Sequence, residues 1–217
     1  MAQVVLCDDH ELMTEGQRRI LERLGHTVVA VFRNGRDLVG YVKTHAVDLA
    51  ILDISMPLQN GLDALVSIRD CAPAVKCIVM SMHEDHQRVT TAFRNGARAY
   101  ISKIASADEF EKGLYAVLQG ETFVNDKLSP KIIDAYTKAM AAHDALYTVR
   151  KMSLREREVL QLVAEGKSDK ETASILEVTV PTIRYHRERL AKAYDLKTLA
   201  DFIRLAHREG LIDLTSE

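Results

Sequence analysis

The sequence predicts an α/β fold, a doubly wound five-stranded parallel sheet, followed by a small all-α domain. Three observations carry that expectation. Strand-like and helix-like patterns alternate between Gln3 and Leu118 in five successive units with short connections. The run Leu49-Ala50-Ile51-Leu52 is apolar without a break, too short for a helix and suited to a strand covered on both faces. In the last third the strand patterns stop, and capping signals open one helix after another.

In chain order, Val4 to Cys7 reads as a strand, and Glu11 to Leu24 as a helix with Leu12, Ile20, Leu21 and Leu24 spaced for one face. Thr27 to Phe32 is a strand and Gly35 to Thr44 a helix. The run ending at Asp53 follows; Pro57 and Asn60-Gly61 then force a loop before a helix from Leu62 to Asp70. Lys76 to Met80 and Ala99 to Ile101 read as strands, each followed by a helix, Asp85 to Asn95 and Ala107 to Leu118. Gly120 ends that helix, and Ser129-Pro130 opens an amphipathic linker helix over Lys131 to Ala142. Three domains are therefore expected: a sheet domain over 1–120, a helical linker over 121–150 and a helical domain over 151–217.

Composition narrows the function classes. The chain has 217 residues, 47% apolar and 28% charged, with a net charge of −2, which is the profile of a globular protein with no global bias toward polyanions. No apolar stretch is long enough to span a bilayer, and Met1-Ala2-Gln3-Val4 lacks the basic start of a signal peptide. No membrane partner is expected. Cys7, Cys71 and Cys77 are odd in number and read as small buried hydrophobes in a reducing cytoplasm, the expected localisation.

The chemistry is placed by strand ends. In an open parallel sheet, ligands bind beyond the carboxyl ends of the strands. Asp8 and Asp9 end the first strand, Asp53 the third, and Ser81 and Lys103 follow the fourth and fifth. Taken singly, the aspartates read as caps, the serine as a turn residue and the lysine as a solvated charge. Together they are a carboxylate nucleophile, an acidic site for a hard cation such as Mg²⁺, a hydroxyl donor and a compact cation. That is the equipment phosphoryl transfer needs, because its transition state spreads charge over equatorial oxygens.

On these residues the first 120 positions resemble the receiver domain of two-component response regulators, a flavodoxin-like fold. The resemblance implies Asp53 as phospho-acceptor, with a sensor histidine kinase as donor. It implies Asp9, Asp53 and the Ser55 carbonyl as direct Mg²⁺ ligands and Asp8 as a ligand through water. It also implies Ser81 and Tyr100 as the switch pair and Lys103 as the phosphate-binding cation. Ile104 stands where a proline often follows the lysine, so no cis bond is expected there.

Beyond residue 150, Ser153-Leu-Arg-Glu156, Ser168-Asp-Lys-Glu171 and Thr198-Leu-Ala-Asp201 are helix-opening boxes, while Thr179 caps a helix with Pro181 in its first turn. Gly166 and Gly210 close helices. Two short helices joined at Glu177-Val178 make a helix-turn-helix. The helix from Val180 carries Arg184, Arg187, Arg189 and Lys192 outward, with Ile183, Leu190 and Ala193 toward the core. Leu154-Arg-Glu-Arg-Glu-Val-Leu160, Ala164-Glu-Gly166, Lys170-Glu171 and Thr182-Ile-Arg-Tyr-His186 resemble the LuxR-type helix-turn-helix. The whole chain thus resembles the NarL/FixJ class of response regulators, with His186 as a packing residue. This implies duplex DNA as partner, a homodimer as the active form, and a DNA face comprising Thr182, Arg184, Tyr185, Arg187, Glu188 and Lys192. Thr172 departs from the pattern at an apolar position, Ala193 at a basic one, and Glu188 puts a negative charge on the DNA face. Residues 148–217 hold 13 Lys+Arg against 12 Asp+Glu, a thin surplus for a DNA binder. The expected function is transcription control by phosphorylation-dependent DNA binding; the protein would be no enzyme beyond its own phosphoryl transfer and self-dephosphorylation. The alternative is a phosphorylation-dependent interaction switch or phosphate sink, and a free-standing phosphatase is a third, remoter class.

Overall fold

The computed structural model describes residues 1–125 and 152–212. The chain divides into two compact units, Met1–Tyr147 and Thr148–Glu217. The linker helix expected over Lys131 to Ala142, with its Ser129-Pro130 start, lies outside the described residues.

The first unit alternates β1 (Gln3–Cys7), α1 (Glu11–Arg23), β2 (Thr27–Phe32), α2 (Gly35–Val42), β3 (Leu49–Asp53), α3 (Gly61–Cys71), β4 (Lys76–Ser81), α4 (His86–Asn95), β5 (Ala99–Ser102), α5 (Ala107–Leu118) and β6 (Phe123–Val124). The sheet order is β2-β1-β3-β4-β5-β6 and every pairing is parallel. The order reverses between β1 and β3, so the switch point falls where Asp8 and Asp53 emerge. The sequence reading expected five strands, and the sixth is a correction. β6 pairs only Phe123 with Ala99 and Val124 with Tyr100, too short a piece to show any periodicity. It is held by packing: a Cβ on Gly113 of α5 would come within 2.9 Å of the Phe123 ring.

The unbroken apolar run of β3 is explained by cover on both faces. Ala50 and Leu52 join one buried cluster with Val5, Val79 and Tyr100, and Leu49 and Ile51 join the other with Leu6, Ile78 and Ile101. Each leucine, isoleucine or valine among them, wholly removed from water, contributes about 1.5–3 kcal/mol before the entropy of ordering is subtracted. The loop after β3 is equally constrained. A Cβ at Gly61 would meet the Asp53 carbonyl oxygen at 2.0 Å, so only glycine lets α3 start so close to β3. Asn60 caps that helix by accepting from the Asp63 N–H at 3.0 Å. Two apolar expectations fail here. Leu12 is 88% exposed, because α1 turns its first-turn side chain away from the sheet, and Cys71 is exposed at the end of α3.

The second unit contains α6 (Leu154–Ala164), α7 (Asp169–Ile175), α8 (Val180–Tyr194) and α9 (Leu199–Arg208). Ser153 with Glu156, Ser168 with Glu171 and Thr198 with Asp201 form complete capping boxes, as their spacing predicts. Thr179 does not cap α8 through its side chain; its hydroxyl bonds the Thr182 hydroxyl at 2.9 Å instead. Val159, Leu160, Leu162, Ile183, Leu190, Phe202 and Leu205 are buried as the core. Ala193, expected among them, is exposed on α8, because the inward stripe of that helix ends at Leu190. The Thr172 hydroxyl is buried without a hydrogen-bond partner, the polar intrusion its departure from the apolar pattern foreshadows.

Candidate phosphoryl-transfer site and recognition helix

β1 and β3 lie side by side and in register, Cys7 opposite Leu52, so the residues that follow them leave the sheet together. Asp8 and Asp53 are buried there. The Lys103 ammonium, from the turn after β5, stands 2.8 Å from Asp8 Oδ2 and 2.8 Å from Asp53 Oδ2. The backbone positions it: the Lys103 N–H donates to the Ser81 carbonyl at 2.9 Å. Ligand atoms of Asp8, Asp9, His10 and Asp53 all lie within 4.8 Å of one another.

Charge is unbalanced in this cluster. Three carboxylates face one lysine, and burial is the largest influence on Asp53, lifting its pKa from 3.8 to about 6. Lys103 opposes that rise and Asp8 adds to it. Burial works against the charge on Lys103, but Asp53 and Asp8 outweigh it and hold the ammonium above its usual pKa. Asp8 Oδ2 is buried and, among the described residues, meets only the Lys103 ammonium, at 2.8 Å, which it shares with Asp53. Carboxylate oxygens of Asp8, Asp9 and Asp53 gathered within 4.8 Å, with one lysine to answer their charge, fit a hard divalent cation.

Ser81 and Tyr100, expected as the switch pair, are linked through a residue not singled out in the sequence. The His83 N–H donates to Ser81 Oγ at 3.1 Å, and the Tyr100 hydroxyl donates to the His83 carbonyl at 2.7 Å. Tyr100 is wholly buried in the core, and burial pushes its phenol pKa upward. His10 was missed as well. Its Nδ1 lies 3.1 Å from Asp8 Oδ1 and 3.0 Å from Asp9 Oδ1. Its place directly after Asp8-Asp9 at a strand end was the signal that could have found it.

On α8, Arg184, Tyr185, Glu188 and Lys192 are exposed and Thr182 is partly so. All three arginines of the helix are engaged within the unit, Arg184 through Nε to Asp169 Oδ2 at 3.4 Å. Arg187 donates through Nη1 to Asp169, which opens α7, and its guanidinium lies 5.7 Å from the Phe202 ring centroid. Arg189 pairs with the buried Glu156 at 3.2 Å. His186 is partly buried, with Nδ1 unpartnered inside the unit, in keeping with a packing role.

Comparison with known proteins agrees with this geometry. Residues 4–114 match the response regulator receiver domain, and residues 150–206 match the bacterial regulatory proteins of the luxR family. The oxygen regulatory protein NreC of Staphylococcus haemolyticus is 30% identical over 97% of this chain and 99% of its own length. This chain belongs to the NarL/FixJ class of two-component response regulators. A LuxR-family response regulator from Aurantimonas shares 26% identity with this response regulator over 63% of the chain, 99% of the solved one, at a TM-score of 0.60. RcsB of Salmonella typhimurium, at 22% identity, covers 95% of this chain and 98% of its own with a TM-score of 0.57, which speaks for the fold. A further RcsB structure is of a complex with DNA. Among the described residues, no helix of this response regulator is long and apolar enough to cross a membrane.

Proposed function

We propose that this response regulator is switched by phosphorylation of Asp53 and acts by binding duplex DNA through α8, controlling transcription from the cytoplasm. The observation that carries the first half is the shared ion pair of Lys103 with Asp8 and Asp53, both at 2.8 Å, at the switch point of the sheet. An Asp53 carboxylate oxygen bonds to phosphorus as the bond from phosphorus to the imidazole nitrogen of a histidine kinase breaks. Lys103 neutralises the phosphoryl oxygens, and Ser81 offers its hydroxyl to one of them. Asp8, Asp9, Asp53 and the Ser55 carbonyl would hold Mg²⁺, which supplies the remaining positive charge when bound. Loss of the Ser81 link to His83 then frees the carbonyl that holds Tyr100, and the surface around α4 and α5 changes. No further enzymatic activity is assigned. The domain borders proposed are 1–120, 121–150 and 151–217, with a homodimer as the DNA-bound form, as the RcsB dimers on DNA suggest by analogy.

With a small phosphodonor and Mg²⁺, the wild type should gain one base-labile phosphate and Asp53→Asn none. Equal labelling of the variant would falsify the assignment.

A second reading, an interaction switch with little grip on DNA, is favoured by one observation: Arg187 and Arg189 are held by Asp169 and Glu156 rather than presented to phosphates. Salt-dependent binding of the full-length protein to duplex DNA separates the two readings.

A further inference from the structure

The recognition helix does not present its guanidinium groups independently. Phe202 of α9 and Asp169 of α7 hold Arg187 between them, the ring on one side and carboxylate Oδ1 on the other. That leaves Asp169 Oδ2 facing α8, and Arg184 Nε donates to it at 3.4 Å. The carboxylate is only 22% exposed while Arg184 is 67% exposed, so the anchor is sheltered and the arm is in solvent. Phe202, Arg187, Asp169 and Arg184 form one relay across three helices. No other partner of Arg184 is present among the described residues.

We infer that Asp169 is a positioning residue that aims Arg184 at a guanine edge. The inference rests on the DNA-binding reading above. Its physical content lies in the shape of the guanidinium. With Nε taken by Asp169, the two terminal nitrogens remain as a fork, and that fork matches the O6 and N7 acceptors of guanine. Fixing the arm before binding removes the rotamer entropy a free arginine would lose on contact. The carboxylate also answers part of the arginine charge, which weakens attraction to phosphates of any sequence. Asp169 therefore raises the preference for the target through the aimed contact, while its charge lowers the shared phosphate attraction. Arg187, expected on the DNA face, serves here as the fixed partner that keeps Asp169 in place; lysine could not, lacking the planar fork that both stacks and pairs.

The test compares full-length proteins, with and without a small phosphodonor, on a duplex selected by the wild type from random sequence and on a scrambled duplex of equal length. Asp169→Asn should bind the scrambled duplex more tightly and lower the target-to-scrambled affinity ratio about tenfold, the size of one lost guanine contact. In an Arg184→Ala background the same change should leave the ratio almost unaltered; a folding defect would act in both backgrounds, and bare charge repulsion would move the ratio in neither. Arg187→Lys, which keeps the charge but loosens the anchor, should lower the ratio too and covers the case in which Asp169→Asn unfolds. An unchanged ratio in Asp169→Asn and Arg187→Lys, or an equal fall with and without Arg184, overturns the inference while leaving DNA binding intact. Absence of salt-sensitive duplex binding by the wild type overturns the DNA-binding reading itself, and this inference with it.

Discussion

At the scale of single residues, the phosphoryl site is a problem of charge held out of water. Asp53 sits at a pKa of about 6 in the fold against 3.8 in an unfolded chain, with burial as the first cause. Because the folded value is the higher, ionising Asp53 costs folding free energy. That cost is absent below about pH 4, where both states are protonated, and complete above about pH 6. The magnitude is of the order of 1–3 kcal/mol. Metal-free protein should thus lose stability as pH rises through that window. A divalent cation offsets the like charges, so Mg²⁺ should stabilise the fold more at about pH 7.5 than at about pH 5. Urea unfolding at both pH values, with and without Mg²⁺, measures this, and Asp53→Asn should flatten the difference. An equal Mg²⁺ effect at both pH values in the wild type would contradict the electrostatics described. Asp8, Asp9, Asp53, Ser81 and Lys103 were all legible in the sequence, because strand ends can be counted. His10 was signalled only by its place after Asp8-Asp9, and His83 by nothing, since no spacing says that a backbone carbonyl will close the site.

At the scale of elements, local rules account for most boundaries and fail where packing overrides them. The turn between α7 and α8 is the clearest case. The Val178 N–H donates to the Ala173 carbonyl at 3.0 Å, the closing bond of a left-handed helix end, and Glu177 sits there at φ 54°. Glycine is the usual residue at that place because it meets no Cβ penalty. Glu177 is exposed, so its side chain has little packing to lose. Glu177→Gly should stabilise the second unit by roughly 0.5–1 kcal/mol, the strain of one left-handed residue less the added freedom of the unfolded chain. Unfolding by urea reads the change, and a loss of stability would show that Glu177 makes a contact that outweighs its backbone strain. The capping boxes at Ser153, Ser168 and Thr198 were readable because each is a pattern within four residues. β6 was not readable, since two residues carry no period and only the packing of Phe123 over Gly113 gives them a strand to join.

At the scale of the whole molecule, charge decides how tightly DNA can be held. The chain carries a net charge of −2, and Glu188 stands exposed on α8 with no ion pair to Arg184, which turns to Asp169 instead. If α8 is the DNA face as proposed, a carboxylate there repels phosphates of every sequence and weakens non-specific binding. Glu188→Ala and Glu188→Gln should tighten binding to a target and to a scrambled duplex alike, more at low salt than at high, because screening shortens the repulsion. A salt titration on both duplexes checks this. Weakening on the target alone would make Glu188 a base reader, accepting from a cytosine amino group.

Sequence alone determined the first five strands and the helices of the described residues, most of the apolar faces, and the carboxylates, hydroxyl and lysine at the strand ends, because periodicity, capping and strand ends are local properties of the chain. Tertiary structure alone decided which charges meet. Lys103 bridges Asp8 and Asp53 across the sheet, and Arg187 and Arg184 converge on Asp169 across a turn. Those pairings depend on distances between elements far apart in sequence, and Coulomb energy varies with such distances and with local burial, neither of which a linear pattern records.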